Sequence, residues 1–223
     1  MGTILYLAII LVVLWAIWLS VDVNRIFAKY SELESSSGLT GAEVAYRILN
    51  HNGINDVQIR TIEGNLTDHY DPKNKTLNLS SAVARSKSVS ALAVAAHECG
   101  HAIQHHEGYG LLAFRNTLVP VANFGSNAGI WIFFLGFLFM PLLLVPLGLL
   151  LFSAAVVFHV ITLPVELNAS NRALNILHEK NMLQYDEEMI GAKKVLRAAA
   201  MTYFVAALSS ILQLLRMIGL SRD

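Results

Sequence analysis

The sequence predicts a membrane protein, mainly α-helical, with about four transmembrane helices and a small α+β portion. Hydrophobic residues make up 55% of the 223 positions and charged ones only 14%, outside the range of ordinary soluble domains. Residues 116–165 hold no Asp, Glu, Lys or Arg, and fifty such positions far exceed the ~20 residues that one span needs. Most of the charge lies instead before residue 116, where helix-like and strand-like patterns alternate. No phosphate-cradling glycine loop or basic stripe is present, so no nucleic-acid partner is expected.

Taken in order, residues 3–21 form an uncharged apolar run. It lacks a basic leader, its apolar part is too long for a secretory signal, and Asp22-Val23-Asn24-Arg25 offers no small-residue cleavage site, so it reads as a retained anchor. Thr40 and Glu43 have capping-box spacing, and Val44, Ile48 and Leu49 mark one face of a helix that ends near Asn52-Gly53. Residues 57–62 alternate like a half-buried strand, while residues 66–70 and 76–79 flank a hairpin loop at Asp71-Pro72-Lys73-Asn74-Lys75. An exposed strand edge there can hold an extended peptide by main-chain hydrogen bonds. Ser88 or Ser90 then caps a helix of small residues that runs to about Glu107 and stops at Gly108. Spans follow at residues 121–140 and 147–163, joined by a turn at Pro141 and Pro146. The last lies at 198–218, after a membrane-edge anchor of Lys193, Lys194 and Arg197. The expected organisation is an anchor (1–21), a cytoplasmic α+β part (22–117), a transmembrane hairpin (118–164), a cytoplasmic helix (165–197) and a C-terminal span (198–223).

The chemistry concentrates at His97-Glu98-Cys99-Gly100-His101. On a helix, side chains four apart share a face, so both imidazoles can reach one metal ion. Glu98 lies at the edge of that face, where a carboxylate can act on water as a base rather than bind metal. A polar helix face without metal is the bland alternative, and the helical context argues against it. A metzincin would take its third ligand from a histidine further along, but Gln104 and Glu107 occupy those positions. His105 continues the ladder from His101, yet three histidines on successive turns cannot converge on one ion, since each turn rises about 5.4 Å. His105 and His106 therefore read as polar residues at a helix end, where a cation complements the dipole.

Topology supplies the third ligand. A hairpin after this helix returns the chain near Pro164 on the side where His97 and His101 lie. Glu166 is the first charge it presents, and a carboxylate at a membrane edge is costly without a partner; the competing reading is a glutamate that caps a helix beginning near Pro164. Residues 22–115 carry nine Lys and Arg and residues 166–197 five, which places both segments in the cytoplasm by the positive-inside rule. Cys99 is the sole cysteine and points away from the histidine face, so neither a disulfide nor a thiolate ligand is expected. His159, seven residues before Glu166, can line a route to the metal or sit satisfied between helices. His69 and Tyr70 can approach substrate or face solvent.

The runs Thr67-Asp68-His69-Tyr70-Asp71-Pro72, His97 to Gln104 and Leu163 to Ser170 resemble the YugP-like family of bacterial membrane zinc metallopeptidases, over nearly the whole chain. More distantly, they resemble the HtpX-like membrane proteases, in which the HExxH helix and a glutamate-bearing helix are separated by a transmembrane hairpin. The resemblance implies a gluzincin-like site with one Zn2+ per chain, held by His97, His101 and Glu166, and Glu98 as general base. HtpX-like proteins place an aspartate where this chain has Ser170, so whether Ser170, Asn168 or Asn171 orients a histidine is open, and no residue matches the group that would stabilise the oxyanion. The expected function is a multi-pass zinc endopeptidase of the bacterial cell (inner or plasma) membrane, facing the cytoplasm and acting on peptide or membrane-protein substrates. The alternatives are a site-2-type intramembrane protease and a non-proteolytic zinc-binding scaffold or regulator. The sequence specifies no oligomeric partner.

Overall fold

A computed structural model describes residues 2–139 and 143–221. The chain divides into two compact units, one of Val21–Tyr109 with Glu166–Ala200, the other of Met1–Ser20, Gly110–Val165 and Met201–Asp223.

The first unit holds the mixed structure. Helix α1 (Gly2–Ser31) ends in it, and α2 (Gly41–His51) begins at a capping box in which the Thr40 hydroxyl accepts from the Glu43 amide and Glu43 returns the bond. Val44, Ile48 and Leu49 form the buried face of α2. Strands β1 (Gln58–Ile62), β2 (His69–Asp71) and β3 (Thr76–Ser80) form a sheet in the order β1-β3-β2. β3 pairs parallel with β1 and antiparallel with β2. The hairpin across Asp71–Lys75 is as expected. β2 is shorter than the expected 66–70 because Leu66 takes a left-handed φ of 54°, which strand pairing does not accommodate. After the short α3 (Ser81–Ala84), Ser88 caps α4 (Val89–His106) through a hydrogen bond from the Ala91 amide. The chain turns out of α4 at Gly108 with φ of 67°, the left-handed stop that glycine permits. The core gathers α2, the central strand β3 through Leu77 and Leu79, α4 through Leu92, Ala95, Ala96 and Ile103, and Leu177 and Leu183 further along.

The second unit is apolar helix. α5 (Gly110–Phe139) and α6 (Leu144–Glu179) lie antiparallel where small residues let their backbones meet. A Cβ on Gly125 would strike the Leu151 carbonyl, one on Gly129 would stand 3.0 Å from the Phe152 nitrogen, and one on Gly148 2.6 Å from that of Phe133. Phe133, Phe152, Val156 and Met217 form its buried cluster.

Four helices among the described residues are long and apolar enough to cross a membrane: α1, α5, α6 and α7 (Asp186–Leu220). They are longer than the spans expected at 3–21, 121–140, 147–163 and 198–218. The expected turn residue Pro141 lies outside the described residues, and Pro146 falls inside α6. Pro164 does not open a new helix either; α6 runs unbroken through it. A proline inside a helix costs about 3 kcal/mol, which the packing of a 36-residue helix offsets. Glu166 is thus a mid-helix residue, and the reading of it as a helix cap is corrected.

Candidate metal centre

α4 presents His97, His101 and Glu98 on neighbouring rows, and all three side chains are largely sheltered. α6 can bring Glu166 to them because the two helices touch at small residues. A Cβ on Gly100 would lie 2.6 Å from the Ala169 carbonyl oxygen and 3.1 Å from its Cα, while Ala169 and Ala173 are fully buried. The glycine inside the motif and the alanine three residues after Glu166 are what allow the approach.

The outcome is a tight cluster. Glu166 Oε2 lies 3.2 Å from His97 Nε2 and 3.4 Å from His101 Nε2, and one donor atom from each residue lies within 4.8 Å of the others. Two ligands bound at about 2.0–2.1 Å in a tetrahedral array stand roughly 3.3 Å apart. Two imidazole nitrogens and one carboxylate oxygen at these separations fit a zinc ion. Burial opposes protonation of His101, but Glu166, Glu98 and Gln104 around it more than offset this and hold the imidazole above its usual range. Such a concentration of acceptors is what a bound cation would relieve.

The model of a family described as "Putative neutral zinc metallopeptidase" matches residues 5–222. The chain belongs to this family. It is also 49% identical over 201 residues to a protein of Bacillus subtilis (strain 168) named "Putative membrane protease YugP", covering 90% of this chain and 89% of that one. No solved structure matches it. The family resemblance expected from the three sequence runs is therefore borne out.

Around the family's motif the structure places several further residues. Glu98 stays outside the cluster of three, and its Oε2 accepts the main-chain N–H of Tyr70 at 3.0 Å. Tyr70 thus fixes the carboxylate from β2, while its phenol reaches His105 Nδ1 at 2.8 Å. Burial, with Asp56 and Asp71 nearby, pushes that phenol up to about 12, so it remains protonated at neutral pH. His105 is tied to β2 by this bond and is more than the polar helix end the sequence suggested. His69 is solvent-facing, with Nδ1 on the Thr67 carbonyl and Nε2 beside Asn78. Asp68 receives the Ser80 amide and hydroxyl; burial nevertheless raises its pKa, and Glu98 adds to the rise.

The open question about Ser170 has a geometric answer: its Oγ lies 3.2 Å from His97 Nδ1. The partner of His101 is Gln104, whose Oε1 lies 3.0 Å from Nδ1. By sequence alone Gln104 stands only where a metzincin would need another residue. The available signal was its place one turn beyond His101 on the same helix face. Cys99 is fully buried, its thiol directed to the Ala45 carbonyl at 3.7 Å, and burial raises its pKa. It faces away from the cluster, as expected.

Proposed function

We propose that the chain is a membrane-embedded zinc endopeptidase with one Zn2+ held by His97, His101 and Glu166, and with Glu98 as general base. The observation that carries this reading is the convergence of both Nε2 atoms on a buried carboxylate, with Glu98 beside them and outside the cluster. When bound, zinc supplies Lewis-acid activation of water and of the scissile carbonyl. Glu98 takes the proton of the attacking water and later delivers it to the leaving amine. The Tyr70 N–H holds the Glu98 carboxylate in place between these steps. Gly100 and Ala169 keep the two ligand-bearing helices close enough for Glu166 to join the histidines.

We further place the site on the cytoplasmic side of a bacterial cell membrane, where the fourteen basic residues of 22–115 and 166–197 favour retention. Glu166 lies on α6, which carries no Asp, Glu, Lys or Arg from residue 144 to residue 165, and a ligand carried by such a helix suits membrane-associated or damaged membrane-protein substrates. The deciding experiment uses the purified full chain and unfolded casein as substrate. Glu98→Gln should keep the parent's zinc and lose about 10²-fold or more of its cleavage rate. Cleavage at the parent rate overturns the assignment.

A further inference from the structure

Both histidines of the cluster use their second nitrogen, and on His101 that bond begins a chain. Gln104 Oε1 meets His101 Nδ1 at 3.0 Å, and Gln104 Nε2 donates to Asn168 Oδ1 at 2.9 Å. Arg172 Nε donates to the same Oδ1 at 2.8 Å, and its other arm reaches Glu107 at 2.7 Å, where the carboxylate is half exposed. Gln104 is fully buried, so its amide has no solvent alternative.

The polarity of this chain can be read from one end. A guanidinium only donates, so the Asn168 atom it touches must be the oxygen. Gln104 shares that oxygen and must meet it with its NH2 group. The Gln104 oxygen then faces His101, which must donate from Nδ1. The ring proton is thereby placed on Nδ1, and Nε2, 3.4 Å from Glu166, carries the lone pair a metal needs. With Asn168 and Gln104 both turned over, the same atoms would hold His101 with its proton on Nε2, facing the cluster.

We propose that Arg172 is a positioning residue that fixes, through Asn168 and Gln104, the tautomer in which His101 can bind metal. This rests on the zinc reading of the site, and it assigns a role to three residues outside the ligand set. It also accounts for the absence of an aspartate at position 170: Ser170 serves His97, and a neutral amide with imposed polarity serves His101.

The test measures two quantities on the purified full chain: zinc affinity, by competition with a chromophoric chelator, and the ring 15N shifts of His101 before zinc is added, at a pH high enough that the ring is neutral and its single proton reports the tautomer. Arg172→Met keeps the side-chain stem and removes the donor. It should weaken zinc binding about 10-fold, the lower end of the effect of a ligand's supporting partner, and shift the His101 signals away from the Nδ1–H form. Adding Asn168→Asp should recover most of the lost affinity and return the His101 signals to the Nδ1–H form, because a carboxylate can only accept. Parent-like affinity and shifts in Arg172→Met overturn the proposal, as does a double variant no better than the single. A mere salt-bridge role would make Glu107→Gln as damaging as Arg172→Met, and that result also overturns it. If Arg172→Met does not fold, Asn168→Asp alone decides: it should bind zinc at least as tightly as the parent, and weaker binding counts against the relay. A parent that binds no zinc sinks the metal assignment, while the tautomer shifts still decide the relay.

Discussion

The closest backbone approach at the site predicts an unusual sign for a glycine-to-alanine change. In an ordinary helix interior, Gly→Ala stabilises by about 0.5–1 kcal/mol. At Gly100 the new Cβ would lie 2.6 Å from the Ala169 oxygen, whereas ordinary contact begins near 3.4 Å. The helices must therefore part by about 0.8 Å, the difference of those two values, and metal-ligand distances tolerate only about 0.2 Å. Overpacking of this kind costs about 1–3 kcal/mol, which, where zinc binding has to work against it, is roughly a five- to hundredfold loss of zinc affinity at ~1.4 kcal/mol per decade. The atoms in the way belong to the Ala169 backbone, so Ala169→Gly should not rescue the variant. Chelator competition on purified Gly100→Ala measures the effect, with thermal unfolding alongside. Parent-like zinc affinity together with raised thermal stability would refute the reasoning.

Three further outcomes follow from named contacts. Glu166→Ala should abolish stoichiometric zinc, read by metal analysis of the purified chain, since it removes the carboxylate on which both imidazoles converge; unchanged zinc would strike it from the ligand set. Ser170→Ala should lower zinc affinity about 10-fold by releasing His97 Nδ1, measurable in the same chelator assay. Glu188 accepts the Ser36 amide at 2.6 Å and hydroxyl at 2.9 Å, and the Gln184 and Tyr185 amides at 2.7 and 3.3 Å. Glu188→Gln should therefore destabilise the fold by about 1.5–3 kcal/mol, the range for a hydrogen bond to a charged group, and lower the thermal midpoint without altering zinc stoichiometry.

What could be read from the sequence was what local chemistry decides. The Thr40 box and the Ser88 cap each involve residues three apart, so α2 and the start of α4 were visible at once. The approach of Glu166 was also legible, because an apolar hairpin and one isolated charge leave few places for it to go. Pro164 misled because its penalty is local whereas the packing that holds α6 is not. The partnership of Gln104 with Asn168 joins positions 64 apart, and no pattern within a helix encodes it. Nor could spacing show that Tyr70 would serve Glu98 by its main chain and His105 by its phenol, since β2 meets α4 only in three dimensions.

The side of the membrane on which the site lies can be tested without knowing the substrate, and the structure dictates how. Cys99 is unsuitable as the reporter: it is buried, and burial holds its thiol protonated, which suppresses maleimide attack. Cys99→Ala gives a cysteine-free background, into which Glu63→Cys and Glu187→Cys each place one thiol at an exposed position, in the 22–115 and 166–197 segments. If both segments face the cytoplasm, a membrane-impermeant maleimide should label neither variant in intact spheroplasts and both after lysis. Thr3→Cys, at the opposite end of the first span, should label before lysis. Labelling of Glu63→Cys in intact spheroplasts would invert the topology, and labelling of only one of the two segments would separate Glu166 from the histidines by a bilayer. That last result is incompatible with the 3.2 Å separation of Glu166 and His97, so the experiment tests the ligand set as well as the orientation.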